Sequence, residues 1–120
     1  MAKRSAQILK IHPVDPEPRL IRQAAQQLMA GDVIVYPTDS TYALACHIGD
    51  KAALEKIRRI RQLADKHNFT LMCRDLSELA TYARVSNTAY RLLKAFTPGP
   101  YTFFLSATAE VPRRLFFFFF

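Results

Sequence analysis

Apolar residues change their spacing several times along this chain, and each change marks an element. Residues 8–12 read as a short first strand, closed by Pro13, Pro16 and Pro18. From Arg19 the spacing turns helical. Leu20, Ala24 and Leu28 form one line with Ile21 and Ala25 beside it, and Gly31 stands where a left-handed residue ends a helix. Residues 32–36 are almost continuously apolar, which predicts a strand covered on both faces. Pro37 stops it, the polar stretch 37–41 turns, and 42–46 resumes as a second apolar strand. Asp50 is placed to cap a helix over 51–61 with an apolar line through Leu54 and Ile57. Residues 69–73 read as another strand. Asp75 and Glu78 have capping-box spacing for a short helix to residue 83. Ser86 is placed to cap one more, with Ala89, Leu92, Leu93 and Phe96 on its inner side. Pro98, Gly99 and Pro100 break that helix before a strand over 101–105. This alternation predicts an α/β domain of two or three layers.

The chain closes on five consecutive phenylalanines, residues 116–120, which no amphipathic pattern or turn accounts for. They read as an aberrant tail of repeat, frameshift or design origin, too short to span a bilayer and prone to aggregate if exposed.

Composition narrows the class. The 120 residues hold one domain at most, and half of them are hydrophobic, enough for a core. Lys and Arg outnumber Asp and Glu by 17 to 10, a net charge of +7. That excess favours an anionic partner, the phosphates of a nucleotide or a nucleic acid, or else is a generic basic surface. Cys46 and Cys73 each lie in an apolar stretch, with neither a signal peptide nor zinc-type spacing around His12, His47 or His67. The expectation is a cytoplasmic protein with reduced thiols, no metal ligands and no membrane association.

Three stretches carry candidate chemistry. Thr38, Ser40 and Thr41 cluster with Asp39 in a loop between two apolar strands. Loops at strand ends bind ligands in open α/β sheets, although the same residues make an ordinary turn. Lys56, Arg58, Arg59, Arg61 and Lys66 form a cationic cluster. At about 100° per residue Arg61 falls roughly 20° from Leu54 and Arg58 about 40° to the other side. A guanidinium on that apolar line needs a carboxylate, a phosphate or a helix end, so Arg61 is read as a ligand or structural partner. Third, residues 97–102 hold a glycine between two prolines, a sharp turn that places Thr102 at a strand start or is simply a rigid connection.

Taken in order, residues 33–44, 58–61 with 65–76, and 97–102 followed by 111–115 resemble the YrdC family of threonylcarbamoyl-AMP synthases, most closely its YciO branch. The resemblance implies an α/β fold, a twisted mixed sheet of the YrdC-like type. Residues 1–115 would be the front part of a single such domain and 116–120 the aberrant tail. It implies a reaction joining L-threonine, bicarbonate and ATP into threonylcarbamoyl-AMP with release of pyrophosphate. ATP is a substrate, Mg2+ assists, and the product serves tRNA threonylcarbamoyladenosine modification. By the same resemblance Thr38 contacts the amino acid, and Ser40, Tyr42, Lys66, His67 and Thr102 complete the substrate side. Arg58, Arg59 and Arg61 meet ATP phosphates, with Arg59-Ile60-Arg61 standing at the family's Lys-x-Arg motif. Ser40 and Ala43 stand where synthases commonly have Thr and Gly, as in the YciO branch. No Ser-x-Asn motif follows Leu115, so the reading expects little synthase activity from this chain. The alternative is a double-stranded RNA- or tRNA-binding module of the YciO type without synthase activity. A third is an inactive fragment with an open sheet edge at 101–105.

Overall fold

The computed structural model describes residues 5–112 and 115–119. It contains four helices and five strands among those residues: α1 (Pro18–Met29), β1 (Ile34–Pro37), β2 (Tyr42–Ala45), α2 (Lys51–Arg61), β3 (Phe69–Met72), α3 (Leu76–Tyr82), α4 (Asn87–Phe96), β4 (Thr102–Phe103) and β5 (Leu115–Phe119). This is the α/β class that the spacing implied, with the mixed sheet that the resemblance implied.

The helix starts follow from local chemistry. Asp50 accepts from the Ala53 amide at 2.9 Å, Asp75 from Glu78 at 2.8 Å and Ser86 from Ala89 at 3.1 Å. Each side chain satisfies one of the amides that a helix start leaves without a partner. Glu78 reaches back to the amide of Arg74, closing the capping box one residue earlier than the usual form. Gly31 takes φ +94° just past α1, as its position predicted. Its Cβ position would also lie 2.9 Å from the Asp50 carboxylate, so the end of α1 sits against the start of α2.

β1 and β2 form an antiparallel two-stranded ribbon, with Ile34 opposite Ala45 and Pro37 opposite Tyr42. The second sheet is mixed, in the order β3-β5-β4, with β5 parallel to β3 and antiparallel to β4. Leu71 and Cys73 from the β3 region, Leu79 from α3, Ala83 just past its end, Leu93 from α4 and Val111 form the core beside it. The end of α3 is pinned to the segment after β4. There Thr108 donates its amide to the Tyr82 carbonyl and its hydroxyl to that of Thr81.

Several expectations are corrected. Residues 8–12 take no strand, since nothing pairs with them among the described residues. Pro37 is the last residue of β1, paired with Tyr42, so the strand stops there as expected, and an edge position tolerates its missing amide. Val35 is 65% exposed, so β1 is covered on one face only. On α4, Leu93 is buried while Leu92 and Phe96 are about half exposed. Residues 102–103 form β4, which pairs on one side with β5, formed by Leu115 and residues 116–119 of the phenylalanine run, and β4 remains an edge strand of the sheet β3-β5-β4. An uninterrupted run of aromatic, uncharged residues suits a central strand. Residues 1–4, Arg113 and Arg114 of the third resembling stretch, and Phe120 of the run lie outside the described residues.

Both cysteines are free thiols, and Cys73 is buried. Burial first, then the carboxylates of Glu78 and Asp75, push the Cys73 thiol up to about 11. Below pH 9 the thiol is neutral in both folded and unfolded chains. Above it the unfolded chain releases the proton while the folded chain holds it, so stability falls as pH rises from 9 to 11. The loss is on the order of 2 kcal/mol. Melting from pH 8 to 11 should show this decline, and Cys73→Ala should flatten it.

Candidate functional site

The loop between β1 and β2 is organised by one hydroxyl. Thr38 Oγ1 accepts from the amides of Ser40 at 3.3 Å and Thr41 at 3.1 Å, and donates to the Thr41 carbonyl. The Thr38 amide donates to that same carbonyl at 2.8 Å, and Ser40 Oγ lies 3.4 Å from Thr38 Oγ1. Thr38 therefore holds the turn that carries Asp39 and Ser40. A side chain rich in local hydrogen bonds is a positioning group first.

That turn forms one wall of a groove of about 450 Å³ lined by Tyr36, Pro37, Thr38, Asp39, Met72, Pro98, Gly99 and Pro100. The groove thus unites the first and third candidate stretches, which lie some sixty positions apart in sequence. Its walls are mainly apolar. The Tyr36 hydroxyl donates to Met72 Sδ at 3.7 Å across the groove, and burial pushes its pKa above the ordinary phenol value. A neutral phenol there can donate or accept but not act as a base at neutral pH. Asp39 is exposed and is the carboxylate on the groove. Tyr36 and Met72 were not among the residues singled out from sequence. Strand alternation would have found Tyr36, which shares a face with Ile34, whereas Met72 required the tertiary fold.

The turn at 98–100 depends on Gly99. A Cβ there would lie 2.6 Å from the Phe96 carbonyl oxygen and 3.2 Å from the Tyr101 ring. Gly99→Ala must therefore move backbone, and is expected to destabilise by about 1–3 kcal/mol while displacing the groove wall. A melting midpoint equal to that of the parent would sink this account of the turn.

The remaining sequence candidates lie elsewhere. Tyr42 is 71% exposed opposite Pro37, and Thr102 is exposed on β4; neither lines the groove. The cationic cluster occupies the end of α2 and the loop after it. Arg58 is 4% exposed, and its Nη1 donates to the carbonyls of Ala64 and Asp65 at 2.8 Å each. Its guanidinium lies 4.8 Å over the Phe69 ring, and its Nε is 3.4 Å from Glu55 Oε1, unaligned for a hydrogen bond. His67 meets the other side of this group, edge-on to Phe69 with ring centroids 5.5 Å apart. Arg58 is the buried arginine here, and Arg61, expected on the apolar line, is exposed. The helix ends at Arg61 and Gln62 turns left-handed with φ 52°, so the last turn runs past the layer it covers. Arg59, Arg61 and Lys66 are solvent-facing. Among the described residues no cationic side chain lines the groove.

Among the described residues no three His, Cys, Asp or Glu side chains gather to hold a metal, and no helix is long and apolar enough to cross a membrane.

Residues 26–116 match a family model named Sua5_yciO_yrdC and described as telomere recombination. The chain is 64% identical over 110 residues to the uncharacterized protein YciO of Escherichia coli K12, covering 92% of this chain and 53% of that protein. The crystal structure of E. coli YciO superposes with a TM-score of 0.85 at 63% identity, over 92% of this chain and 54% of that one. A threonylcarbamoyl-AMP synthase of Nitrosococcus oceani is 34% identical over 96 residues, covering 79% of this chain and 52% of the synthase. P. abyssi Sua5 complexed with L-threonine superposes with a TM-score of 0.77 at 27% identity, over 83% of this chain and 30% of that one. The chain thus spans about half the length of the curated relatives it matches.

Proposed function

Because this chain belongs to the Sua5/YciO/YrdC family, we propose that its groove is the amino-acid side of a threonylcarbamoyl-AMP synthase-type site. The reaction so proposed joins L-threonine, bicarbonate and ATP into threonylcarbamoyl-AMP and pyrophosphate, for tRNA threonylcarbamoyladenosine modification. One observation carries the reading. The Thr38 turn, Met72 and the 98–100 turn, which come from all three stretches that resemble the family, converge on a single groove. The relative solved with L-threonine shares the fold over 83% of this chain.

The division of labour is mostly positioning. Thr38 fixes the loop, Tyr36, Met72 and the prolines exclude water, and Asp39 offers a carboxylate to a ligand ammonium group. Mg2+ arriving with the triphosphate needs only one or two protein carboxylates, and Asp39 is the side chain that would meet it. That ion would supply charge neutralisation at the phosphates. The phosphate-facing cations proposed for ATP are Arg59 and Arg61, since the Arg58 guanidinium already serves the loop carbonyls.

L-threonine titrated into the labelled protein should shift the amide signals of Thr38 to Thr41 and of Gly99. No response at millimolar threonine would overturn the reading. With ATP, bicarbonate and Mg2+ added, pyrophosphate release is expected to stay near the blank, because no cation lines the groove among the described residues.

A second reading has its own support. Lys56, Arg59 and Arg61 of α2 and Lys66 of the loop after it are exposed and do not line the groove. This patch fits a double-stranded RNA or tRNA backbone. Affinity for duplex RNA should fall steeply with salt, and Arg59→Ala with Arg61→Ala should flatten that slope by about two. Binding indifferent to salt would exclude it.

A further inference from the structure

Among the described residues sulfur stands in Met29, Cys46, Met72 and Cys73, and an oxidant meets them in different settings. A cysteine reacts through its thiolate. Burial, then Glu78 and Asp75, push the Cys73 thiol up to about 11, and burial, then Asp50, push Cys46 up as well. Both therefore stay protonated at neutral pH. A thioether needs no deprotonation, and its oxidation follows exposure. Met29 is 71% exposed and Met72 57% exposed, so the methionines are the sulfur that an oxidant reaches.

The two methionines differ in what the sulfur does. Leu71 and Cys73 belong to the core, so strand alternation turns Met72 to the opposite side of β3. There it lines the groove, and its Sδ accepts from the Tyr36 hydroxyl at 3.7 Å. This contact joins β1 to β3, strands of different sheets. Met29, at the end of α1, has no such contact among the described residues.

We propose that Met72 is a modification site: hydrogen peroxide oxidises it to the sulfoxide, and the new oxygen takes over the Tyr36 hydroxyl. The peroxide O–O bond breaks as an S–O bond forms. Sulfur gives up an electron pair, and the other peroxide oxygen leaves as water. A thioether is a weak acceptor, whereas the sulfoxide is polar and accepts through oxygen. An O–H···O bond runs to about 2.7 Å and bends at the acceptor, so the added oxygen fits with the 3.7 Å separation of Sδ and hydroxyl nearly kept. Burial keeps the Tyr36 phenol neutral, and so a donor, at neutral pH. Oxidation thus tightens the tie between β1 and β3 and sets a polar atom in a wall that is otherwise mainly apolar. Groove chemistry becomes redox-dependent, whichever small molecule the groove takes.

The test exposes the full chain to millimolar hydrogen peroxide and follows each methionine by peptide mass spectrometry. Met72 and Met29 should both gain one oxygen. The Tyr36 ring signals should shift as Met72 converts, and sulfoxide reductases of both epimer specificities should return them. In Met72→Leu, a volume-conserving change at an exposed position, Met29 should still convert while peroxide leaves the Tyr36 ring unmoved. Tyr36→Phe reads the part played by the hydroxyl. Oxidation should lower its melting midpoint more than that of the parent, because the sulfoxide then has no donor opposite it. Conversion of Met29 with Met72 left intact overturns the proposal, as does a Tyr36 ring indifferent to Met72 oxidation. Equal midpoint changes in the parent and Tyr36→Phe sink the assigned hydrogen bond, and the proposal with it.

Discussion

Arg58→Ala is expected to destabilise the chain by about 2–4 kcal/mol, whereas Arg59→Ala and Arg61→Ala should each stay within about 0.5 kcal/mol of the parent. The three side chains are neighbours in sequence and carry the same charge, so charge cannot produce the difference. Arg58 is buried, donates to two loop carbonyls at 2.8 Å and covers the Phe69 ring. Its removal strips hydrogen bonds from Ala64 and Asp65 and loosens the loop that holds Lys66 and His67. A stacked cation adds roughly 1 kcal/mol, and the packed alkyl stem adds more. Exposed residues at 64 and 65 let water take over part of the lost bonding, which keeps the expected loss below that of a fully buried ion pair. Arg58→Met tests the division, since it keeps the stem and loses the donors. Denaturant melts of the four variants provide the measurement. If Arg58→Met is as stable as the parent, the two carbonyl contacts contribute nothing net and the structural role assigned to Arg58 fails.

This contrast also bears on the two functional readings. A cation held by its own loop is unavailable to phosphate, so any anion affinity of the α2 end should survive a stabilised Arg58 variant and vanish with Arg59 and Arg61. Loss of RNA affinity in Arg58→Met without loss of folding would instead place that guanidinium at the ligand.

What the sequence made legible is local. The caps at Asp50, Asp75 and Ser86 and the left-handed Gly31 depend on residues within four positions of one another, and each stands where spacing put it. Thr38 and residues 98–100 were also singled out, but their meeting in one groove needs the packing of β1, β3 and the end of α4, which no local pattern encodes. Arg61 shows the limit of a helical projection. The angle places it near Leu54, yet the projection assumes helix and cover continue together, and here the cover stops one turn earlier, at Arg58. The apolar run at 33–36 shows the opposite case, because the pattern asks for two covering layers and the chain provides one. In the phenylalanine run the composition pointed away from structure, while strand propensity and two available sheet edges point toward it.

Leu79→Ala should lower stability by about 3–4 kcal/mol, toward the upper part of the range for buried leucines. Leu79 is 0% exposed and sits among Leu71, Cys73, Ala83, Leu93 and Val111, so it shares a core with the β3 region, α4 and the segment after β4. Its helix is only 7 residues long and gains little from its own hydrogen bonds. What fixes α3 is this side chain below it, together with the Thr108 contacts at its end. Partial collapse around the missing atoms is limited, because Ala83 and Thr108 tie the backbone at the site of the cavity. Against a total of about 5–15 kcal/mol for a domain of this kind, such a loss should lower the urea midpoint by roughly 2 M. Leu92→Ala, on the same inner line by sequence spacing but 53% exposed, should change stability by under about 1 kcal/mol. Equal losses in the two variants would mean that the layer covering α4 extends further than the fold described here. A loss below about 1 kcal/mol for Leu79→Ala would mean that α3 lies outside the cooperative core. In that case the groove would stand on β1, β3 and the 98–100 turn alone.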